Sequence, residues 1–241
     1  MKGIILAGGN GTRLYPLTKI INKHLLPVGK YPMIYYSIVK LRDAGITEIL
    51  LVIGKQSAGE FAQFLGGGEE WGVRLTYKIQ EESGGIAQAL ALGEDFIRPG
   101  EKFVVLLGDN LFEESLGDLL QDSFAPEGGA RVILKEVDNP QRYGVPVFEG
   151  DRIEWIEEKP FEPKSNYCVT GIYQYDSAVF EMIKRLRPSS RGELEITDVN
   201  NLYAADRKLT YGFVHGWWID AGTIESLYEA SSRLLEVARH E

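Results

Sequence analysis

Lys2-Gly3-Ile4-Ile5-Leu6-Ala7 runs directly into Gly8-Gly9-Asn10-Gly11-Thr12-Arg13-Leu14. A short apolar run emptying into a glycine turn reads as a strand whose C-terminal end opens an anion site. Glycine allows the close approach that lets backbone N–H groups converge on a charge. The charge pattern points the same way: the first 42 residues carry seven Lys or Arg and no Asp or Glu, although the 241-residue chain has a net charge of −9. A bare glycine turn is commonly structural, but these acid-free surroundings and Arg13 favour a polyphosphate cradle. The turn is not a dinucleotide fingerprint, because Thr12-Arg13-Leu14 follows Gly9-Asn10-Gly11 without the third glycine. Nor is it a Walker A loop, since no Gly-Lys-Ser/Thr follows.

Outward from that turn, the first half alternates between two periods. Strands are predicted at Lys2–Ala7, Glu48–Ile53, Val73–Gln80 and Phe103–Leu107, and helices at Pro32–Ala44, Ser57–Leu65 and Ile86–Phe96. Ile49-Leu50-Leu51-Val52-Ile53 and Val104-Val105-Leu106-Leu107 show no polar alternation, as expected of strands covered on both faces. The fold class that follows is α/β: a three-layer Rossmann-like sandwich with a mixed, mostly parallel central sheet. Its ligands should bind beyond the C-terminal strand ends, where Gly8–Arg13 and Gly108-Asp109-Asn110 both lie.

The second half predicts strands at Arg131–Val137, Gly144–Phe148, Arg152–Glu157 and Tyr167–Tyr175, with helices at Val179–Leu186 and Ile196–Ala205. Thr223 suits an N-cap, followed by one apolar helical face of Ile224, Leu227, Tyr228, Leu234, Leu235 and Ala238. No long linker or repeat divides the chain. A single domain over 1–241 is expected, with a nucleotide-binding half to about residue 110 and a partner-substrate half beyond it.

The acidic balance argues against a nucleic-acid partner. The lone Cys168 excludes an intramolecular disulfide and suits a reducing compartment. The first apolar run is too short for a signal peptide, and nothing approaches the roughly 18 apolar residues of a membrane span. A cytoplasmic location and no membrane partner are therefore expected, with a homo-oligomer left open.

Other residues could carry chemistry. Lys23, ten residues after Arg13, is either a solvated loop lysine or the second cation of a phosphate clamp, a point charge beside the arginine fork. His24 reads as a packing residue. Asp109 and Asp220 are each either turn formers or, together, the one or two carboxylates that Mg²⁺ takes from protein. Glu157-Glu158-Lys159-Pro160 is an exposed charged turn or a carboxylate for sugar hydroxyls beside an ammonium for a sugar phosphate. Cys168 and the Tyr35-Tyr36 pair read as core or strand residues.

Gly8-Gly9-x-Gly11-Thr12-Arg13-Leu14-x-Pro16-Leu17-Thr18, Lys23-His24-Leu25-Leu26-Pro27 and Leu107-Gly108-Asp109-Asn110 resemble the sugar-phosphate nucleotidyltransferases. Arg142-Tyr143-Gly144-Val145, Glu158-Lys159-Pro160, Val169-Thr170-Gly171-x-Tyr173, Arg191–Thr197 and Trp218-x-Asp220-x-Gly222-Thr223 extend the likeness over the chain. The resemblance implies transfer from dTTP to glucose 1-phosphate with Mg²⁺, without a covalent intermediate. It implies Arg13 and Lys23 as catalytic cations, and Leu6, Gly8, Gly9, Gly11, Thr12, Arg13, Gln80, Gly85 and Asp109 at the nucleotide. Asn110, Tyr143, Gly144, Glu158, Lys159, Val169 and Trp218 would then meet the sugar phosphate, and Asp109 with Asp220 the metal. UTP in place of dTTP, or a non-catalytic nucleotide-sugar sensor, are the alternatives. Gln80-Glu81-Glu82-Ser83-Gly84-Gly85 lacks the proline common near the base site, and the chain stops soon after the 223–239 helix, which predicts a weakened regulatory nucleotide site. Replacing either aspartate by asparagine is expected to lower kcat by roughly two orders of magnitude or more, with little effect on folding.

Overall fold

The computed structural model describes residues 1–120 and 128–240, with side chains described as far as 236. Strand β1 (Lys2–Ala7) is followed by a short ladder of β2 (Pro27–Val28) and β3 (Tyr31–Pro32), then helix α1 (Met33–Asp43). Next come β4 (Glu48–Gly54), α2 (Ala58–Leu65), β5 (Arg74–Gln80), α3 (Ile86–Ala91), β6 (Lys102–Leu107), β7 (Asn110–Phe112) and α4 (Leu116–Leu120). The second half holds β8 (Ala130–Glu136), the hairpin β9 (Gly144–Glu149) and β10 (Arg152–Glu158), and the long β11 (Tyr167–Asp176). Helices α5 (Val179–Ile183) and α6 (Ile196–Ala205), strands β12 (Leu209–Phe213) and β13 (Trp218–Asp220), and α7 (Ile224–His240) complete it.

The central sheet runs β12-β8-β11-β6-β1-β4-β5. Only β11 is antiparallel to its neighbours, so the sheet is mixed and mostly parallel. Alternate residues of β1 enter opposite cores. Ile4 and Leu6 face α3, α5 and α6, while Ile5 and Ala7 face α1, α2 and α4. These two apolar layers on one sheet make the sandwich.

The chain winds outward through β1, β4 and β5, then α3 returns it to β6 on the other side of β1. The crevice beyond the ends of β1 and β6 is thus the topological switch point, the place where open α/β sheets bind ligands.

Several expected elements change. The helix predicted from Ile86 to Phe96 ends at Ala91, because the following turn brings Gly93 against β1, where a Cβ would stand 2.6 Å from Ile4 Cδ1. The Val179–Leu186 helix is shortened to α5, and Tyr35 and Tyr36 lie on helix α1 rather than on a strand, with Tyr36 packed against the small core around Val28 and Met33. In α7 the expected apolar face splits. Leu227, Ala230 and Leu234 pack on Val28 and Ile219, whereas Ile224, Tyr228 and Leu235 are 46%, 76% and 40% exposed. The side chain of Ala238 lies outside the described residues. Thr223 does cap this helix. Its Oγ1 accepts from Ser226 N at 3.2 Å and its own N–H donates to Ser226 Oγ at 3.1 Å, a reciprocal box.

Candidate active site

A single cavity of about 770 Å³ opens at the switch point. Every residue given a catalytic, nucleotide, sugar-phosphate or metal role from the sequence lines it except Gly11. Gly11 instead shapes the turn. Its φ of +63° lies in the left-handed region, and a Cβ there would meet Thr18 Cγ2 at 2.9 Å and Lys23 Cβ at 3.0 Å. Thr18 Oγ1 holds the Gly11 carbonyl at 2.7 Å, and the buried Leu14 anchors the far end of the turn.

The middle of the cavity is a pair of ion pairs. Lys23 Nζ donates to Asp109 Oδ2, and Arg13 stands 3.9 Å from Asp220 Oδ2. Lys23 also lies over the glycine turn, close enough that a Cβ on Gly9 would be 3.6 Å from its Nζ. Asp109 is buried, which by itself raises its pKa, but Lys23, His24 and Asn110 outweigh burial and hold it below the ordinary carboxylate range. Asp220 is shifted the other way, by burial and then by the charge of Asp109.

Asn110 organises this region. Its Oδ1 accepts from Gly171 N and Trp218 Nε1, both at 2.8 Å, and its Nδ2 donates to Asp109 Oδ1 at 3.1 Å. The approach requires Gly171, where a Cβ would lie 2.6 Å from Asn110 Cγ. Trp218 in turn meets Tyr143 edge to face at 5.5 Å.

At one end, Gln80 and Gly85 meet the cavity wall. Gly8 is required beneath Gln80, since a Cβ there would collide with Gln80 Oε1. Gly85 has φ +101°, and a Cβ would stand 2.5 Å from Leu194 O. At the other end, Glu158 accepts from Thr197 Oγ1 at 2.6 Å and from Arg191 at 3.2 Å, with Lys159 Nζ 3.5 Å away.

Sequence reasoning missed Arg191 and Thr197, which line the cavity. Arg191–Thr197 was visible as a motif, but an arginine among Glu193 and Glu195 looks like a solvated charge run until folding sets it against Glu158. His24 is a packing residue: it is buried, bonded to Asn22 Oδ1 at 2.8 Å, and its pKa falls to about 3 because burial disfavours the cation. Burial likewise pushes the Cys168 thiol up to about 12, which removes it as a nucleophile. The two halves interlock, because β13 pairs with β7 and carries Asp220 back to Arg13.

A mostly parallel α/β sheet with a cation-lined glycine turn at its switch point defines a nucleotide-phosphate-binding protein. The nucleotidyl transferase family model matches residues 2–237, and the chain belongs to that family. It is 46% identical to a glucose-1-phosphate thymidylyltransferase of Neisseria meningitidis, over 96% of this chain and 82% of the relative. It is 42% identical to one of Mycobacterium tuberculosis, over 100% and 84%. A Bacillus anthracis crystal structure, described as a candidate glucose-1-phosphate thymidylyltransferase with sucrose, superposes with a TM-score of 0.93 at 53% identity, covering 98% and 96% of the chains. A UDP-glucose pyrophosphorylase bound to UDP-glucose superposes at 0.84 with 25% identity, covering 98% of each. No helix among the described residues is long and apolar enough to cross a membrane.

Proposed function

We propose that this chain transfers the thymidylyl group of dTTP to glucose 1-phosphate, giving dTDP-glucose and pyrophosphate. The carrying observation is one continuous cavity with an amide and glycine end, a middle of paired cations and carboxylates, and an end lined by Glu158, Lys159 and Arg191. A phosphate oxygen of the sugar attacks the α-phosphorus in line, and the bond to pyrophosphate breaks as the new P–O bond forms. Such a step needs positioning and charge neutralisation, not a protein nucleophile or base.

The Gln80 amide suits the N3–H and O4 edge of thymine, and the Gly85 N–H a ring carbonyl. Leu6, Gly8, Gly9, Thr12 and Arg13 take the triphosphate, with Gly11 holding their turn, and Lys23 the reacting phosphate. Glu158 and Gly144 receive sugar hydroxyls, and Lys159 with Arg191 the sugar phosphate. Asn110, Tyr143, Val169 and Trp218 form the surrounding wall. In this reading residues 1–110 carry the nucleotide and the remainder the sugar phosphate, except that Asp220 returns to the nucleotide side.

Asp109 and Asp220 suit a divalent cation by their donor chemistry, being two hard carboxylates on one cavity. No cluster of three or more His, Cys, Asp or Glu able to hold a metal occurs among the described residues. That matches Mg²⁺, which keeps water and substrate phosphate in its shell beside one or two carboxylates. Bound there, Mg²⁺ would supply neutralising charge at the α-phosphate.

The test is pyrophosphate release from dTTP, UTP, GTP, ATP and CTP against a panel of sugar 1-phosphates. The expected order is dTTP with glucose 1-phosphate first and UTP second, since the thymine methyl contributes about 1–3 kcal/mol in a pocket. CTP should be poor, and EDTA should silence the reaction. UTP ahead of dTTP would establish the uridylyl reading instead, which the likeness to UDP-glucose pyrophosphorylase favours. Nucleotide binding without pyrophosphate from any pair would leave a sensor.

A further inference from the structure

The base end of the cavity depends on a residue that stands behind its wall. Gln80 closes β5, is 7% exposed, and turns its amide toward the cavity above Gly8. A primary amide has nearly the same shape either way round, but exchanging its oxygen and nitrogen swaps acceptor for donor. One orientation matches an N3–H and O4 edge. The other matches the N3 and N4 amine of cytosine. Something must therefore hold the amide.

Gln88, in the single turn and a half of α3, is placed to do so. Its Oε1 accepts from Gly84 N at 3.1 Å and from Gln80 Nε2 at 2.7 Å. A backbone N–H can only donate, so Gln88 must present its oxygen to Gly84. That oxygen can only accept, so Gln80 must turn its nitrogen toward it. The direction is thus imposed by a peptide group with no alternative and passed through two amides to the cavity. Gly84 also supplies the room, because a Cβ there would stand 2.7 Å from Gln88 Cδ. The peptide itself is fixed on its other side, where Gly84 O accepts from Leu194 N at 2.8 Å.

We propose that Gln88 is a positioning residue that sets pyrimidine choice by locking the Gln80 amide, with its oxygen and remaining N–H left for the base. The inference rests on the nucleotidyl-transfer reading above. Gln88 touches no reacting atom.

The experiment compares wild type, Gln88→Leu, Gln88→Glu and Gly84→Ala in two readouts: kcat/KM for dTTP and CTP by pyrophosphate release, and calorimetric affinity for the same two nucleotides without sugar phosphate. Gln88→Leu keeps the bulk and loses the acceptor, so the CTP-to-dTTP ratio should rise by about an order of magnitude or more in both readouts, carried by KM rather than kcat. Gln88→Glu keeps an acceptor for both donors and should retain the wild-type ratio. Gly84→Ala displaces the Gln88 side chain without altering it and should reproduce the leucine variant, which keeps the inference testable if Gln88→Leu does not fold. A ratio unchanged in Gln88→Leu or Gly84→Ala, or raised equally in Gln88→Glu, overturns the proposal. Loss of discrimination in binding, with no pyrophosphate even from wild type, would support Gln88 while sinking the transfer reading. A wild type that binds dTTP no better than CTP overturns the Gln88 proposal.

Discussion

Lys159 shows how one backbone angle builds a site. Glu158 ends β10, and an extended chain would send the next side chain to the opposite face. Lys159 instead takes φ 47°, a left-handed conformation costing a non-glycine residue about 1–2 kcal/mol, and its N–H is held by Tyr143 O at 3.0 Å. Both side chains consequently line the cavity. At the same scale, the two aspartates separate in what they do. Asp109→Asn and Asp220→Asn should each lower kcat by about two orders of magnitude or more, because in the proposed transfer each deletes a charge facing the reacting phosphates. Their stabilities should diverge, against the expectation that both leave folding intact. Asp109→Asn strands the ammonium of Lys23, whose side chain is only 14% exposed, and breaking such a buried pair costs up to about 3–5 kcal/mol. Asp220→Asn removes a charge already disfavoured by burial and by Asp109, so its urea midpoint should hold or rise. Near-native turnover by either variant, or matched midpoints, would refute this division of roles.

Among the elements, the C-terminal helix illustrates how a cap and a seam are chosen. Leu227, Ala230 and Leu234 follow helical spacing and close the small third core over Val28, Met33 and Leu111. Ser231 Oγ adds a bond to Gly29 N at 2.9 Å, which ties α7 to the β2–β3 turn. The Thr223 box starts the helix three residues after Asp220, so the cap also ends the loop that carries a site carboxylate. Thr223→Ala should lower the free energy of unfolding by about 1 kcal/mol, as loss of an N-cap does, and Thr223→Ser should restore most of it. Urea unfolding of the three proteins measures this, and equal stability of the alanine variant would show that the box contributes nothing. A second inter-element tie lies at the Gln80 and Gly85 end of the cavity. Leu194 N donates to Gly84 O at 2.8 Å and Leu194 O accepts from Ala87 N at 3.1 Å, so α3 and the 187–195 loop are fastened together.

For the whole molecule, acid stability turns on a group sealed inside it. His24 titrates near 6.5 in an unfolded chain and near 3 in the fold, where burial and then Lys23 oppose its cation. Between those values the unfolded chain binds a proton that the native one does not, so stability falls as pH drops from 6.5 toward 3. The slope is about 1.4 kcal/mol per pH unit, or roughly 2 kcal/mol lost at pH 5 relative to neutrality. Urea unfolding at pH 7.5 and pH 5 should therefore show a steeper acid loss for the native protein than for His24→Gln, and parallel losses would exclude His24 as the cause. How legible all this was depends on the range of each interaction. The α/β class, the strand cores at 49–53 and 104–107, the glycine turn and its cations follow from sequence alone, because apolar periodicity and glycine chemistry act over a few neighbouring residues. The three-residue strands β7 and β13 were not legible, since neither has a local signal and each exists only by pairing with the other across about 100 residues. The same holds for Arg191 against Glu158, Asp220 against Arg13 and Gln88 behind Gln80. Sequence named the charges and the turn; tertiary structure alone decided which charges meet and which way an amide faces, because those choices are settled by distance and hydrogen-bond direction between segments that the chain order keeps apart.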